Sequence, residues 1–226
     1  MQKRTVLGII GVTAVILLGG IYLTSRQDVH GPLPAIKQDV VQNLVSPSET
    51  FSSPRWNMEG ISVESDAAMA LNGTKTATRL TVTAVPGWHR IETSTTGLTP
   101  NAMHTLSIFI KPGEQMSLLL EMRDVRPGKQ GIARFDLGGK SVYSISGDVV
   151  DAGVLPVGNG WQRVWATMSY TMDHAVFNIA LTSPEQVPVY MGDGKSDVLI
   201  WGVQLEQSTR PRPYTANMTK PAAGEP

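Results

Sequence analysis

The chain has 226 residues, 19 basic against 19 acidic, and no cysteine. That length suffices for one sizeable domain with its own core. The balanced charge removes the electrostatic basis for nucleic-acid binding, and the missing thiols exclude disulfides, thiolate metal centres and cysteine nucleophiles.

Lys3 and Arg4 precede an uncharged run over residues 5–23. As a helix rising about 1.5 Å per residue, the run spans about 28 Å, close to the hydrocarbon thickness of a bilayer. Positive residues before a span stay on the cytoplasmic side. The expectation is therefore a transmembrane helix within residues 1–26, single-pass in the inner membrane, with the remainder periplasmic or extracellular. A cleaved signal peptide is the alternative, but Ala14 is the only alanine of the run and no A-x-A pattern follows before Arg26. Residues 27–45, with Pro32 and Pro34, read as a spacer with room for a brief helix over 36–44.

Residues 46–54, rich in Ser and Pro, form an extended entry to Trp56. Short runs with a two-residue apolar period follow, parted by turn residues. Residues 60–64 alternate. Asn72-Gly73 is a turn before Leu80 and Val82, and residues 88–92 form another short run. Leu106, Ile108 and Ile110 end at Pro112-Gly113, and Leu118, Leu120 and Met122 end at Pro127-Gly128. Ala133, Phe135 and Leu137 are closed by Gly138-Gly139, after which residues 142–146 return. Val164, Ala166 and Met168 share one face of a long strand, and Ala175, Phe177, Ile179 and Leu181 form the next row. The last strand, 197–206, alternates through Val198 and Ile200, then slips by one before Val203 and Leu205. An extra residue absorbed at Trp201-Gly202 keeps both pairs on one face, so a β-bulge is predicted there. No segment beyond Ser46 sustains a helical period. The expected fold is all-β, a two-sheet antiparallel β-sandwich of jelly-roll type with eight or more strands over residues 46–215. Pro211, Pro213 and Pro221 give the end of the chain the character of a tail, assigned to 216–226.

Several ordered motifs carry a resemblance: QNLVSPSETFSSPRW (42–56), LNGTKTATRLTV (71–82), FDLGGKSV (135–142), GNGWQRV (158–164), and DGKSDVLIWGVQLE (193–206) with Pro213-Tyr214-Thr215. Together they resemble the carbohydrate-binding-like jelly-roll domain of phage tail and virion-associated proteins, also found on bacterial surface proteins. The family pattern has aspartate where Thr50 stands and proline where Leu71 stands, departures at the entry and at one turn. The resemblance implies a non-catalytic glycan-binding module, and names no sugar.

The residues point the same way. No G-x-S-x-G elbow, H-E-x-x-H pair or complete phosphate loop occurs. Glu121 and Asp136 are the one carboxylate pair considered for glycosidic chemistry, although solvated strand faces explain them equally, and the chain is read as no enzyme. Alternation turns Glu121, Arg123, Arg134 and Asp136 outward, and likewise Trp165 and Asn178. An aromatic ring for the C–H face of a sugar, with planar polar groups for its hydroxyls, is what a glycan site requires. These six residues are the candidate glycan site, salt-bridged surface strands being the competing explanation. Trp56 and Trp88-His89-Arg90 offer a second patch at loop edges, whereas Trp161 reads as structural. His30, His89, His104 and His174 are scattered and read as structural or solvent-facing. No cofactor is expected apart from a structural calcium ion held by Asp193 and Asp197, turn formation being the alternative. The partner is expected to be a cell-surface polysaccharide. The rival reading is a structural subunit whose sandwich packs on a protein of an envelope or virion complex.

Overall fold

Strict apolar alternation can bury only one face of a strand, so a chain made of such strands stacks two sheets with the apolar rows between them. The computed structural model describes residues 41–218 and has this arrangement. In chain order the strands are β1 (Asn57–Glu59), β2 (Ile61–Ala68), β3 (Ala77–Val82), β4 (Pro86–Trp88), β5 (Arg90–Thr96), β6 (Met103–Pro112) and β7 (Ser117–Asp124). There follow β8 (Gln130–Asp136), β9 (Ser141–Gly147), β10 (Asp151–Gly158), β11 (Trp161–Ser169), β12 (His174–Leu181), β13 (Val189–Met191) and β14 (Asp197–Gln207). One six-stranded sheet, here sheet A, runs β1-β5-β12-β7-β8-β9. The other, sheet B, runs β10-β11-β6-β14-β3-β2. The β4–β13 pair forms a small ribbon beside them. Every pairing is antiparallel.

The predicted rows meet in one core. Leu118, Leu120, Met122, Phe135, Phe177 and Ile179 of sheet A face Leu106, Ile108, Val164, Leu80, Ile200 and Leu205 of sheet B. At roughly 1.5–3 kcal/mol for each large apolar side chain taken out of water, this interface supplies the main stabilisation. Trp56 belongs to the same core, tilted 5.1 Å from Phe51 and edge-on 5.9 Å from Phe177. It is thus no part of a surface patch. Burying its ring satisfies far more apolar area than a loop edge could.

The bulge forms where the slip in alternation places it. Trp201 stands opposite Phe109 and Gln204 opposite Ser107, so Gly202 and Val203 together face Ile108. Gly202 adopts φ +59°, a left-handed conformation that costs glycine little. Beyond the bulge β14 no longer pairs with β3. Its freed edge receives the entry segment instead, with Leu44 N–H donating to Leu205 O at 2.8 Å and Val203 N–H to Ser48 O at 3.0 Å.

Residues 208–217 are more ordered than Pro211 and Pro213 suggest. Residues 208–217 cross the outer face of sheet B as a strap, where Tyr214 packs on Phe109 and Trp201 and Arg163 Nη1 donates to Arg212 O at 2.5 Å. Proline cannot join a ladder, but it suits an extended strap held by side chains. Among the described residues there is no helix, and none long and apolar enough to cross a membrane. The expected anchor, most of the spacer and the last tail residues lie outside the described residues.

Candidate functional site

The outer face of sheet A gathers five of the six candidate residues. In β12, inward Ala175, Phe177, Ile179 and Leu181 leave His174, Val176, Asn178 and Ala180 outside. In β7, inward Leu118, Leu120 and Met122 leave Glu121 and Arg123 outside. Register then sets the rows. Asn178 stands between Glu92 of β5 and Glu121 of β7. One step along, Arg123 faces Val176 on one side and Gln130 on the other. Arg134 lies in the next row, opposite Leu119, and Asp136 one further, opposite Ser117.

Side chains tie the Glu92, Glu121, Arg123 and Asn178 rows into a ladder of two groups. Asn178 Nδ2 donates to Glu121 Oε2 at 2.6 Å, Gln130 Nε2 donates to Glu121 Oε1, and Arg123 Nη2 reaches Glu92 Oε2 at 3.3 Å. Arg90 Nη1 approaches the same Glu92 oxygen at 3.8 Å, while its Nε donates to Glu59 at 3.0 Å. Its guanidinium lies 4.7 Å over the Trp88 ring. One part of the ladder therefore runs from the Trp88 ring through Arg90 and Glu92 to Arg123, and the other holds Glu121 between the buried Asn178 amide and Gln130. Asn178 Oδ1 makes no hydrogen bond among the described residues.

Three groups enter this face that alternation alone had not assembled: Glu92, Gln130 and the Trp88–Arg90 pair. Arg90 and Glu92 show the period-2 signal in β5, but only the β5–β12–β7 order, made by long crossovers, brings them beside Glu121. The second patch divides along the same period. Trp88 and Arg90 join the ladder, whereas His89 turns inward and is buried, its Nδ1 2.7 Å from Gly60 O.

Trp165 does not join the other five. It belongs to β11 of sheet B and points to the opposite side of the sandwich, where it is 2% exposed. Gly153 stands opposite it, and a Cβ there would come within 2.7 Å of the indole, so the glycine makes room for the ring. Arg210 of the strap caps it at 4.8 Å. Beside it Arg163 is buried too, both Nε and Nη2 on Ser107 Oγ, and burial pulls its pKa down against the opposing Glu206 charge. Trp161 packs with Phe109 and Trp201 in the same layer, as a structural tryptophan should.

Asp193 and Asp197, the pair expected to hold calcium, each have partners within the protein. Asp193 closes its own turn, Oδ1 accepting from Lys195 N at 3.0 Å and Ser196 N at 2.9 Å, and Oδ2 from Ser196 Oγ at 2.5 Å. The Ser196 hydroxyl first, then these N–H groups, hold its pKa at about 2. Asp197 is paired with Arg79 Nη1 at 2.5 Å. Both carboxylates are engaged by protein donors. Among the described residues, no three or more carboxylate or histidine side chains converge where a metal ion could be held.

Glu121 and Asp136 are four positions apart along adjacent strands, about 13 Å of backbone, a separation that does not suit a glycosidic pair. Glu92 and Glu121 are closer, about two strand spacings or 9.6 Å through Asn178. Each, however, is occupied by donors of its own. The arrangement is one of paired donors and acceptors on a rigid sheet, suited to holding hydroxyls.

No family model matches the sequence, and no curated protein matches it. Solved structures similar to this chain include the xylan-binding domain CBM22-1 from Paenibacillus barcinonensis Xyn10C, at 15% identity and TM-score 0.44 over 74% of this chain and 94% of that one. TmCBM61, solved in complex with beta-1,4-galactotriose, is similar at 10% identity and TM-score 0.47 over 74% and 99%. The enzymatically active domain of tailspike protein 4 of bacteriophage CBA120 is similar at 15% identity and TM-score 0.45 over 73% of this chain, which spans 21% of the tailspike chain's length.

Proposed function

We propose that the sandwich is a non-catalytic glycan-binding module, held outside the cytoplasm by the apolar N-terminal run in the inner membrane. It binds a cell-surface polysaccharide on the outer face of sheet A. The observation that carries this reading is the series Trp88–Arg90–Glu92–Arg123 on that face, with Glu121 held beside it by Asn178 and Gln130. Planar guanidinium, carboxylate and amide groups fixed by one another present donors and acceptors at set positions, as hydroxyl recognition requires. The sequence resemblance to carbohydrate-binding-like jelly-roll domains supports the same reading.

An array of immobilised polysaccharides, probed with the full chain in detergent, tests it. The expected result is retention on at least one glycan, weakened about tenfold or more by Arg123→Ala or Asn178→Ala, since each removes a charged or buried hydrogen-bonding group. Retention unchanged by both substitutions would overturn the assignment. Tyr143 and Ile145, exposed on the uncharged edge strand β9, favour a second reading as a subunit packed on an envelope protein. That reading predicts stoichiometric co-purification with a membrane complex and no retention on any glycan.

A further inference from the structure

A sheet edge offers a row of unpaired N–H and C=O groups to any passing strand, and folded proteins usually guard it. Among the described residues, three of the four edges of the two large sheets are guarded. β1 is three residues long and ends in Glu59, while β2 carries Glu64 and Asp66 and shifts register between Glu64 and Ala68. β10 holds Pro156 beside a register shift of its own. The fourth edge, β9, is seven residues long without a charge or a proline. Its one irregularity leaves Tyr143 as an extra residue between Val142 and Ser144, and that ring is 62% exposed, with Ile145 at 45%. Leu155 and Val157 of β10 add exposed apolar side chains on the same flank.

Register decides what fits this edge. Identical strands that pair about a two-fold axis run antiparallel, and positions equally distant from the axis face each other. With the axis at Ser144, Tyr143 of one copy stands against Ile145 of the other, a favourable pairing of an aromatic with a β-branched side chain. The same centre sets Lys140 of one copy against Asp148 of the other, at both ends of the pairing. Both residues are exposed, and neither forms an ion pair among the described residues. Gln130 N donates to Asp148 Oδ2 at 2.9 Å, which fixes the carboxylate without neutralising it. A centre one residue to either side puts Lys140 opposite Ser146 or Val150 and loses both ion pairs. Exposed pairs of this kind add little affinity but choose the register. Apolar contact and main-chain hydrogen bonds hold the strands together.

We propose that β9 is a self-association edge, joining the six-stranded A sheets of two copies into one continuous sheet. The axis between adjacent antiparallel copies stands perpendicular to the sheet, so both ladder faces turn the same way and one polysaccharide chain can engage the two together. That consequence rests on the glycan reading, whereas the pairing itself does not. The chain has no cysteine, so a single introduced thiol reports alone. Ser144→Cys sits on the axis, where opposed Cα atoms roughly 4.5–5.5 Å apart are within disulfide reach. Ser146→Cys, two positions from the axis, stands about 13 Å along the strands from its counterpart. With a mild oxidant, in cells and on the purified full chain, Ser144→Cys should give a product of twice the chain's mass about tenfold faster than Ser146→Cys. Lys140→Glu in the Ser144→Cys chain should slow that product about fivefold by setting like charges at both ends, and adding Asp148→Lys should restore it, each variant keeping a cooperative melt. Equal rates at the two cysteine positions, no product, a cross-link from Ser144→Cys to a different protein, or a rate unchanged by Lys140→Glu would each overturn the proposal.

Discussion

Asn43 uses every hydrogen-bonding position of its amide. Oδ1 accepts from Val45 N at 3.0 Å and Leu205 N at 3.2 Å, while Nδ2 donates to Val203 O at 2.9 Å and Thr215 O at 3.0 Å. One buried side chain thereby joins the entry segment, the last strand and the strap. Alanine there leaves four backbone groups without these bonds, and a loss on the order of 3 kcal/mol is expected, read as a lower urea midpoint at unchanged slope. Asn43→Asp should not rescue it, because an oxygen would then face the carbonyls of Val203 and Thr215. Trp165 gives the opposite kind of result from a binding residue. Trp165→Ala should cost about 3 kcal/mol of stability yet leave the glycan affinity of the folded protein unchanged, measured on the same array. Asp193 carries a pH signature. A carboxyl depressed to about 2 in the folded chain contributes stability that is complete above its ordinary value near 3.8 and disappears as pH falls through 2. The melting difference between the wild type and Asp193→Ala should shrink over that window. It should be small throughout, since the group is exposed.

At the level of elements, β14 depends on one residue. Gly202→Ala must hold φ near +59° and place a methyl 3.1 Å from both the Phe109 and Tyr214 rings, so a loss of about 2 kcal/mol is expected in thermal or urea unfolding. Deleting Gly202 should be far worse, because it turns Val203 and Leu205 out of the core and swings Gln204 and Glu206 into it. This bulge was legible in the sequence because period and slip are local properties of ten residues. The same holds for the inward rows of β6, β7, β8, β11 and β12. β10 left no such trace, since Gly153 and Pro156 interrupt its alternation and its role is to flank β11 and to give the Trp165 indole space. The candidate site was legible in halves. Alternation put Glu121, Arg123, Arg134, Asp136 and Asn178 outside, but it cannot say which sheet a strand joins. Trp165 therefore fell on the far side, and Glu92 and Trp88 arrived from strands distant in sequence. Asn43 gave no periodic signal at all, its partners being some 160–172 residues away.

Across the whole molecule the two outer faces have different work. Sheet B carries the large aromatic residues Phe109, Trp161, Trp165 and Trp201, and the strap covers them. The strap is in turn fastened to the entry segment. Ser48 N–H donates to Asn217 O at 3.0 Å, Asn217 N–H to Ser48 Oγ at 2.8 Å, and the Tyr214 hydroxyl bonds Ser48 Oγ and Glu49. Both ends of the domain thus close on one face, and the polar ladder occupies the other. A chain ending at Ser208 loses Arg210 from Trp165, the Arg212 carbonyl and N–H from Arg163 and Glu206, and Tyr214 from the Phe109–Trp201 pair. Stranding a buried arginine and a buried carboxylate together costs at least 4–5 kcal/mol by order of magnitude. That is comparable with the roughly 5–15 kcal/mol that keeps a domain folded. The truncated chain should therefore expose apolar surface, seen as dye binding and loss of a cooperative melt. Tyr214→Ala is the graded version: about 2–3 kcal/mol lower stability, with glycan retention per folded molecule unchanged at low temperature. Loss of retention in Tyr214→Ala while its melt stays cooperative would mean that the strap side takes part in binding, and the division between the faces would fail.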